Sequence, residues 1–137
     1  MDDSDLTIRL CEIVSRIPSF AWRPYGPAYT ESEIGVHYGK IPDAPDRAVG
    51  IRVYNPIDDP DLLSRRVQLH IRGGRRQPFG ADRIAGVLFA VLHERPRGDG
   101  FASILRTSAA PLGADDNGRE ERTENYLITL DNLEASS

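Results

Sequence analysis

The sequence predicts an α+β fold, with two helices packed on a mainly antiparallel sheet of about five strands. Two observations carry this. In Arg66-Val67-Gln68-Leu69-His70-Ile71-Arg72 apolar and polar residues alternate, so Val67, Leu69 and Ile71 share one strand face and Arg66, Gln68, His70 and Arg72 the other. After Gly73-Gly74 the period changes, and Ile84, Val87, Leu88, Val91 and Leu92 recur at the spacing that puts them on one side of a helix. One sheet face meets one helix stripe, and the other elements are placed against that contact.

In chain order, a first helix is predicted to begin near Ser4, whose hydroxyl can cap free backbone amides, with Asp5 at the positive end of the helix dipole. Leu6, Leu10, Ile13 and Ile17 form its stripe, with Cys11 and Val14 beside them. Ile17-Pro18 ends it, because the residue before proline is pushed out of the α region. Residues 18–33, rich in proline and carrying Phe20, Trp22, Tyr25 and Tyr29, follow neither period and are read as an ordered loop. Two short strands follow, with Ile34, Val36 and Tyr38 alternating in one and Val49, Ile51 and Val53 in the other. The proline- and aspartate-rich connections over 40–48 and 55–63 are both compatible with hairpins, and neither sets a register.

The second helix has Asp82 in its first turn and falters at Glu94-Arg95-Pro96. Its small residues Ala81, Ala85, Gly86 and Ala90 would admit another backbone, such as that of the first helix. The last two strands are placed at 101–110 and 121–132, the second with Tyr126, Ile128 and Leu130 on one face; Asn117-Gly118 between them is a strong turn dipeptide. Residues 133–137 are read as a frayed tail. The order is helix, three strands, helix, two strands, in one domain spanning 1–137.

A chain of 137 residues can bury a sufficient core without staples. Cys11 is the only cysteine, which leaves no intramolecular disulfide and no cysteine-based zinc site and fits a reducing compartment. No stretch approaches the ~18 apolar residues of a membrane span, and the acidic start lacks the positive region of a secretory signal. A soluble protein made in the cytosol is expected. The formal charge is −4, yet from Arg65 to Arg97 eight arginines face only Asp82 and Glu94. Such a run is either a solvated surface or a docking face for an acidic partner, for which arginine's planar fork is well suited.

Little in the sequence points to catalysis. His37, His70 and His93 stand apart; His37 and His70 lie on polar strand faces and would make a metal site only if they met and a carboxylate joined them. The turn GGRRQPFG lacks the lysine and spacing of a phosphate loop. Asp115, Asn117, Gly118 and Glu124 fall at four positions of a calcium-loop template, but its first position would be Gly113, which has no side-chain ligand. A nucleic-acid module has the basic segment in its favour and no recognisable motif. No catalytic residue, metal or cofactor is predicted.

The run VQLHIRG at 67–73, the helix ending in VLH at 91–93, APLGADDNGR at 110–119 and TENY at 123–126 together resemble the tail terminator, or minor capsid, proteins of long-tailed phages of Gram-positive bacteria. The resemblance covers roughly residues 49–132 and rests on the ordered set: a VQxxxRG strand, a helix, PLGxDxxGR, then TxNY. It implies a structural virion protein at the head-proximal end of the tail. Such proteins form a ring, typically of six copies, on the last ring of the tail tube; they stop its growth and present a surface to the head-completion protein. It further implies that DNA passes through the lumen without specific binding. The alternatives are a head-completion (stopper) ring on the portal side and a small nucleic-acid-binding module.

A ring needs two unlike patches that meet around a closed rotation. The candidates are the arginines Arg65, Arg66, Arg72, Arg75 and Arg76 and the loop acids Asp58, Asp59 and Asp61, with Asp43 and Asp46, expected to meet across the subunit boundary. The motif residues Asp115, Asp116, Asn117, Asn125 and Tyr126 are further interface or partner-docking candidates.

Overall fold

Strand and helix periodicities converge on a single apolar layer. The computed structural model describes residues 1–55 and 63–131. Its elements are α1 (Asp3–Ser15), β1 (Phe20–Trp22), β2 (Ile34–Tyr38), β3 (Ala48–Asn55), β4 (Ser64–Arg75), α2 (Gly80–Leu92), β5 (Phe101–Ala114) and β6 (Arg119–Leu130). The strands form one mixed sheet in the order β1-β2-β3-β4-β6-β5. Both helices pack on one face, α1 over β1 to β3 and α2 over the β4, β6 and β5 half. Val67, Leu69 and Ile71 are buried there beside Val49 and Ile51, and they join Leu6, Leu10 and Val14 of α1 and Ile84, Leu88 and Leu92 of α2 in one continuous core. Tyr126 and Ile128 lie on the same face, Tyr126 directly opposite Val67.

The predicted class holds, and several details change. Phe20–Trp22 lies in the stretch read as a loop, yet it is a sixth strand, parallel to β2; three residues are too few to show a period of two. β2 and β3 are also parallel, so their connection is a crossover and not a hairpin. β3 pairs with β4, and β6 with both β4 and β5, in antiparallel fashion. The cap of α1 is Asp2, whose Oδ1 accepts from the Asp5 amide at 2.7 Å and from the Ser4 hydroxyl at 2.8 Å, so Ser4 supports the cap and does not form it. α1 and α2 cover different halves of the sheet; Ala81 and Ala85 are buried in the core, while Val87 and Gly86 of α2 face outward. β5 runs on through Pro111 to Ala114, which an edge strand permits because proline's missing donor need not face a neighbour. Asp58, Asp59 and Asp61, and the predicted tail, lie outside the described residues.

Among the described residues no helix lies on the other sheet face. The crossover 39–47 runs over part of it, burying Ile41. A parallel connection usually takes a dozen residues or more; this one is nine because it forms a low arch across the strands instead of carrying a helix. Gly50 makes the low arch possible. A Cβ at that position would stand 2.1 Å from the Gly39 carbonyl oxygen and 3.0 Å from Ile41 Cγ1. Gly50→Ala is therefore expected to lower unfolding stability by about 3 kcal/mol, the upper end for overpacking because the obstacle is backbone. Urea denaturation would show this as a reduced midpoint at unchanged slope.

Candidate assembly surfaces

The arginine-rich middle and the aspartate loop do meet, within a single chain. Arg72 points from β4 onto the open face and is 5% exposed. Its Nε donates to the Asp46 carbonyl at 2.8 Å, and its Nη2 to the carbonyls of Pro42 (2.8 Å), Pro45 (2.8 Å) and Asp43 (3.2 Å). Arg119, the first residue of β6, is 3% exposed and completes the clamp. Its Nη2 donates to Asp43 Oδ1 (2.9 Å), its Nη1 to Asp46 Oδ1 (3.1 Å) and the Asp43 carbonyl (2.7 Å), and its Nε to Asp115 Oδ2 (2.8 Å). Arg75 adds Nε contacts of 3.1 Å to both oxygens of Asp46. Two buried cations thus find acceptors for their fork geometry in the arch they hold down.

The PLGxDxxGR stretch is the other half of this device. Asp115 Oδ1 accepts from the amides of Asn117 (2.9 Å) and Arg119 (3.0 Å), closing the β5–β6 turn, while Oδ2 takes the Arg119 side chain. Gly118 sits in the left-handed region at φ +71°, as the Asn-Gly dipeptide predicts. Both oxygens of Asp115 are engaged, which leaves the calcium-template reading without its main ligand.

These contacts redistribute the candidates. Arg65 Nε reaches Asp3 Oδ1 of α1 at 3.0 Å, and Arg75 is held by Asp46, so both make ion pairs within the chain. Arg72 and Tyr126 are buried and have no exposed surface for a partner; Tyr126 is a core ring whose hydroxyl has no hydrogen-bond partner. Arg66 stays on the open face, and Arg76, Asp116 and Asn117 are exposed at the β4 and β5–β6 ends. Asn125 is the middle of a polar ladder on the open face, accepting from Gln68 Nε2 at 3.1 Å and donating to Ser108 Oγ at 2.9 Å.

The two strand histidines do not combine. His70 lies 2.6 Å from Glu121, and His37 packs edge-on against Tyr29. Burial, then the nearby charge of Arg72, push His37 below its ordinary range. Among the described residues no cluster of three or more His, Cys, Asp or Glu side chains is placed to hold a metal.

Sequence reasoning missed a second internal network. Glu124 is fully buried on the helix-covered face, opposite Leu69, and accepts from Arg106 Nη1 and Arg122 Nη2, each at 3.2 Å; Arg122 also reaches Asp82 of α2 at 2.6 Å. The signal was present: the alternation that aligns Tyr126, Ile128 and Leu130 also places Arg122 and Glu124 on the core side. Arg119 was legible in the four-residue spacing from Asp115.

Removing one partner of a buried ionic cluster is costly because the others stay desolvated. Arg119→Ala is expected to lower stability by about 3 kcal/mol, read from chemical denaturation. Burial would raise the Asp46 carboxyl, but Arg75 and Arg119 outweigh it; burial would likewise raise Asp115, but the bonds from Arg119 and Asn117 outweigh that, so both lie below the ordinary value of 3.8. For depressed carboxylates the unfolded chain binds more protons, so the contribution is complete above about pH 4 and is lost as pH falls through the folded values. The unfolding temperature should drop on acidification below pH 4, and less steeply in Arg119→Ala. Tyr126→Phe should leave stability equal or raise it, since it deletes a buried hydroxyl without a partner.

Comparison with curated proteins yields no match. A family model described as bacteriophage tail terminator protein matches residues 19–132. That span begins just before β1 and includes the arginine clamp, the Asp115 turn and both edges of the sheet. The chain belongs to the bacteriophage tail terminator family, a family of structural proteins of the phage tail.

Proposed function

We propose that this chain assembles as a closed ring, of six copies as its relatives typically do, on the last ring of the tail tube. There it stops tube growth and offers a surface to the head-completion protein of a long-tailed phage of a Gram-positive host. Family membership across most of the chain carries the reading. The architecture supports it. Helices cover one sheet face only, while the other presents Arg52, Arg66, Gln68, His70 and Asn125 as a polar surface suited to line a lumen through which DNA slides. Arg52 and Arg66 are its cations, set beside the mutually paired amides of Gln68 and Asn125, and contacts from so few charges favour passage over tight phosphate binding.

The test is native mass and negative-stain imaging of the protein alone and after mixing with cognate tail tubes. The expected result is a closed ring, free or on one tube end, and tubes that no longer elongate. Tubes that keep growing with the protein present, or binding confined to the portal-side connector, would overturn the terminator role.

A further inference from the structure

The helix layer presents two exposed stripes of opposite character. On α2, Phe79, Arg83, Gly86, Val87 and Ala90 recur at the spacing of one helix side and are exposed, Phe79 by 63% and Val87 by 43%. Arg83 has no carboxylate within ion-pair distance among the described residues. On α1, Asp5, Ile8 and Glu12 form the outer side, with Ile8 38% exposed. The two arginines of this helix turn to Asp99, Arg9 to its carbonyl at 2.7 Å and Arg16 to its carboxylate at 3.2 Å. Among the described residues neither Asp5 nor Glu12 is paired with a cation. A Cβ at Gly86 would meet nothing within 4 Å. Nothing inside the chain requires a glycine there, although a glycine within a helix costs stability relative to alanine.

The stripes match in spacing as well as in charge. Ile8 and Glu12 are four residues apart, and so are Arg83 and Val87. In an antiparallel helix pair, Ile8 laid on Val87 therefore brings Glu12 to Arg83, with the room at Gly86 beside the apolar contact. Asp5 falls level with Ala90, whose small side chain leaves the carboxylate in water. Within one copy the stripes cannot meet, because both helices turn their inner sides to the same sheet face and both stripes look away from it. The helices also run in opposite senses. α1 starts where Asp3 holds Arg65 and passes within four residues to β1, which begins beside Ile34, next to the row of Gly35, Ala48 and Arg72. α2 starts just past Arg75 and ends where the Glu94 amide donates to Ile104, in the row of Ile128 and Arg65. A second copy turned about a two-fold axis along the helices sets α1 on the other copy's α2, and α2 on its α1, both antiparallel.

We propose that the isolated chain forms a two-fold dimer through its helix layer, with Glu12 of each copy paired to Arg83 of the other and Ile8 packed on Val87 beside Gly86. The partner is a second copy because each copy carries both halves of the match, in the order that an antiparallel pair needs. Such a contact closes on itself and cannot continue around a ring. It is separate from the ring contacts inferred above and does not rest on them. The first helix and the small residues of the second, expected from the sequence to meet, do so between copies.

Sedimentation of the purified chain across a concentration series should show a dimer. Glu12→Arg and Arg83→Glu should each weaken it at least tenfold, with folding checked by circular dichroism. The two variants mixed, or both changes in one chain, should regain it, since every α1–α2 pair then joins opposite charges again. Gly86→Trp should abolish the dimer without lowering the urea midpoint, compared at concentrations where both proteins are monomeric. A wild-type chain that is monomeric throughout, one that forms rings instead of dimers, or a dimer that survives both reversals would overturn the contact. Should the reversal variants not fold, Ile8→Cys with Val87→Cys in an otherwise native chain gives the same decision. Mild oxidation should link two chains by a disulfide between these positions, and a dimer in which no link forms counts against the contact. Cys11 is silent in this assay, being buried with its thiol pushed up to about 12. Arrest of tube growth reads out the ring by itself, so either reading can fail and leave the other standing.

Discussion

Two buried guanidiniums set the terms on which the rest of this molecule is built. A parallel crossover of nine residues has no helix to satisfy its backbone, and it lies across the sheet face that, among the described residues, carries no helix. Arg72 supplies donors to four of its carbonyls, and Arg119 binds two of its aspartates and the turn at Asp115. Sheet order follows from this. With the arch pinned, β2 lies parallel beside β3, and β1 adds at the far edge. The cost of desolvating two cations is offset by geometry, since all three nitrogens of Arg119 and two of the three of Arg72 donate to an oxygen.

How much of this was legible depends on how local the cause is. The helix stripe of Ile84, Leu88 and Leu92 and the alternation of Val67, Leu69 and Ile71 are short-range patterns, and each maps directly onto the core. β1 was hidden because its pairing is entirely tertiary: Phe20 to Trp22 become a strand only when β2 lies alongside. The direction of β3 relative to β2 was hidden for a related reason. Prolines and aspartates in 40–48 mark a loop, and nothing local tells whether the chain turns back or crosses over. For the candidate surface, charge type was readable and charge occupancy was not. Arg65, Arg72 and Arg75 look the same in a sequence as Arg76, yet the first three are consumed by Asp3, the arch and Asp46.

The motif residues carry the same lesson from the other side. Asp115, Arg119 and Tyr126 stand in the stretches that resemble the family, and each acts inside the fold: a turn, a clamp and a core ring. Family likeness here traces the means by which a long β5–β6 hairpin is closed and tied to the opposite half of the sheet.

The β5 edge has a consequence of its own. Ten successive residues, 105–114, are exposed along it, and 107–114 carry no charge, which would ordinarily make the strand a template for sheet growth from molecule to molecule. Pro111 removes a donor, and the pairing with β6 shifts register at three places, so the outer row of backbone groups is broken and unevenly spaced. Such a row disfavours the addition of a neighbour's strand. Along this edge it is therefore side chains, and not a continuous backbone ladder, that set which neighbour fits, and the strand is a poor start for an open-ended fibre.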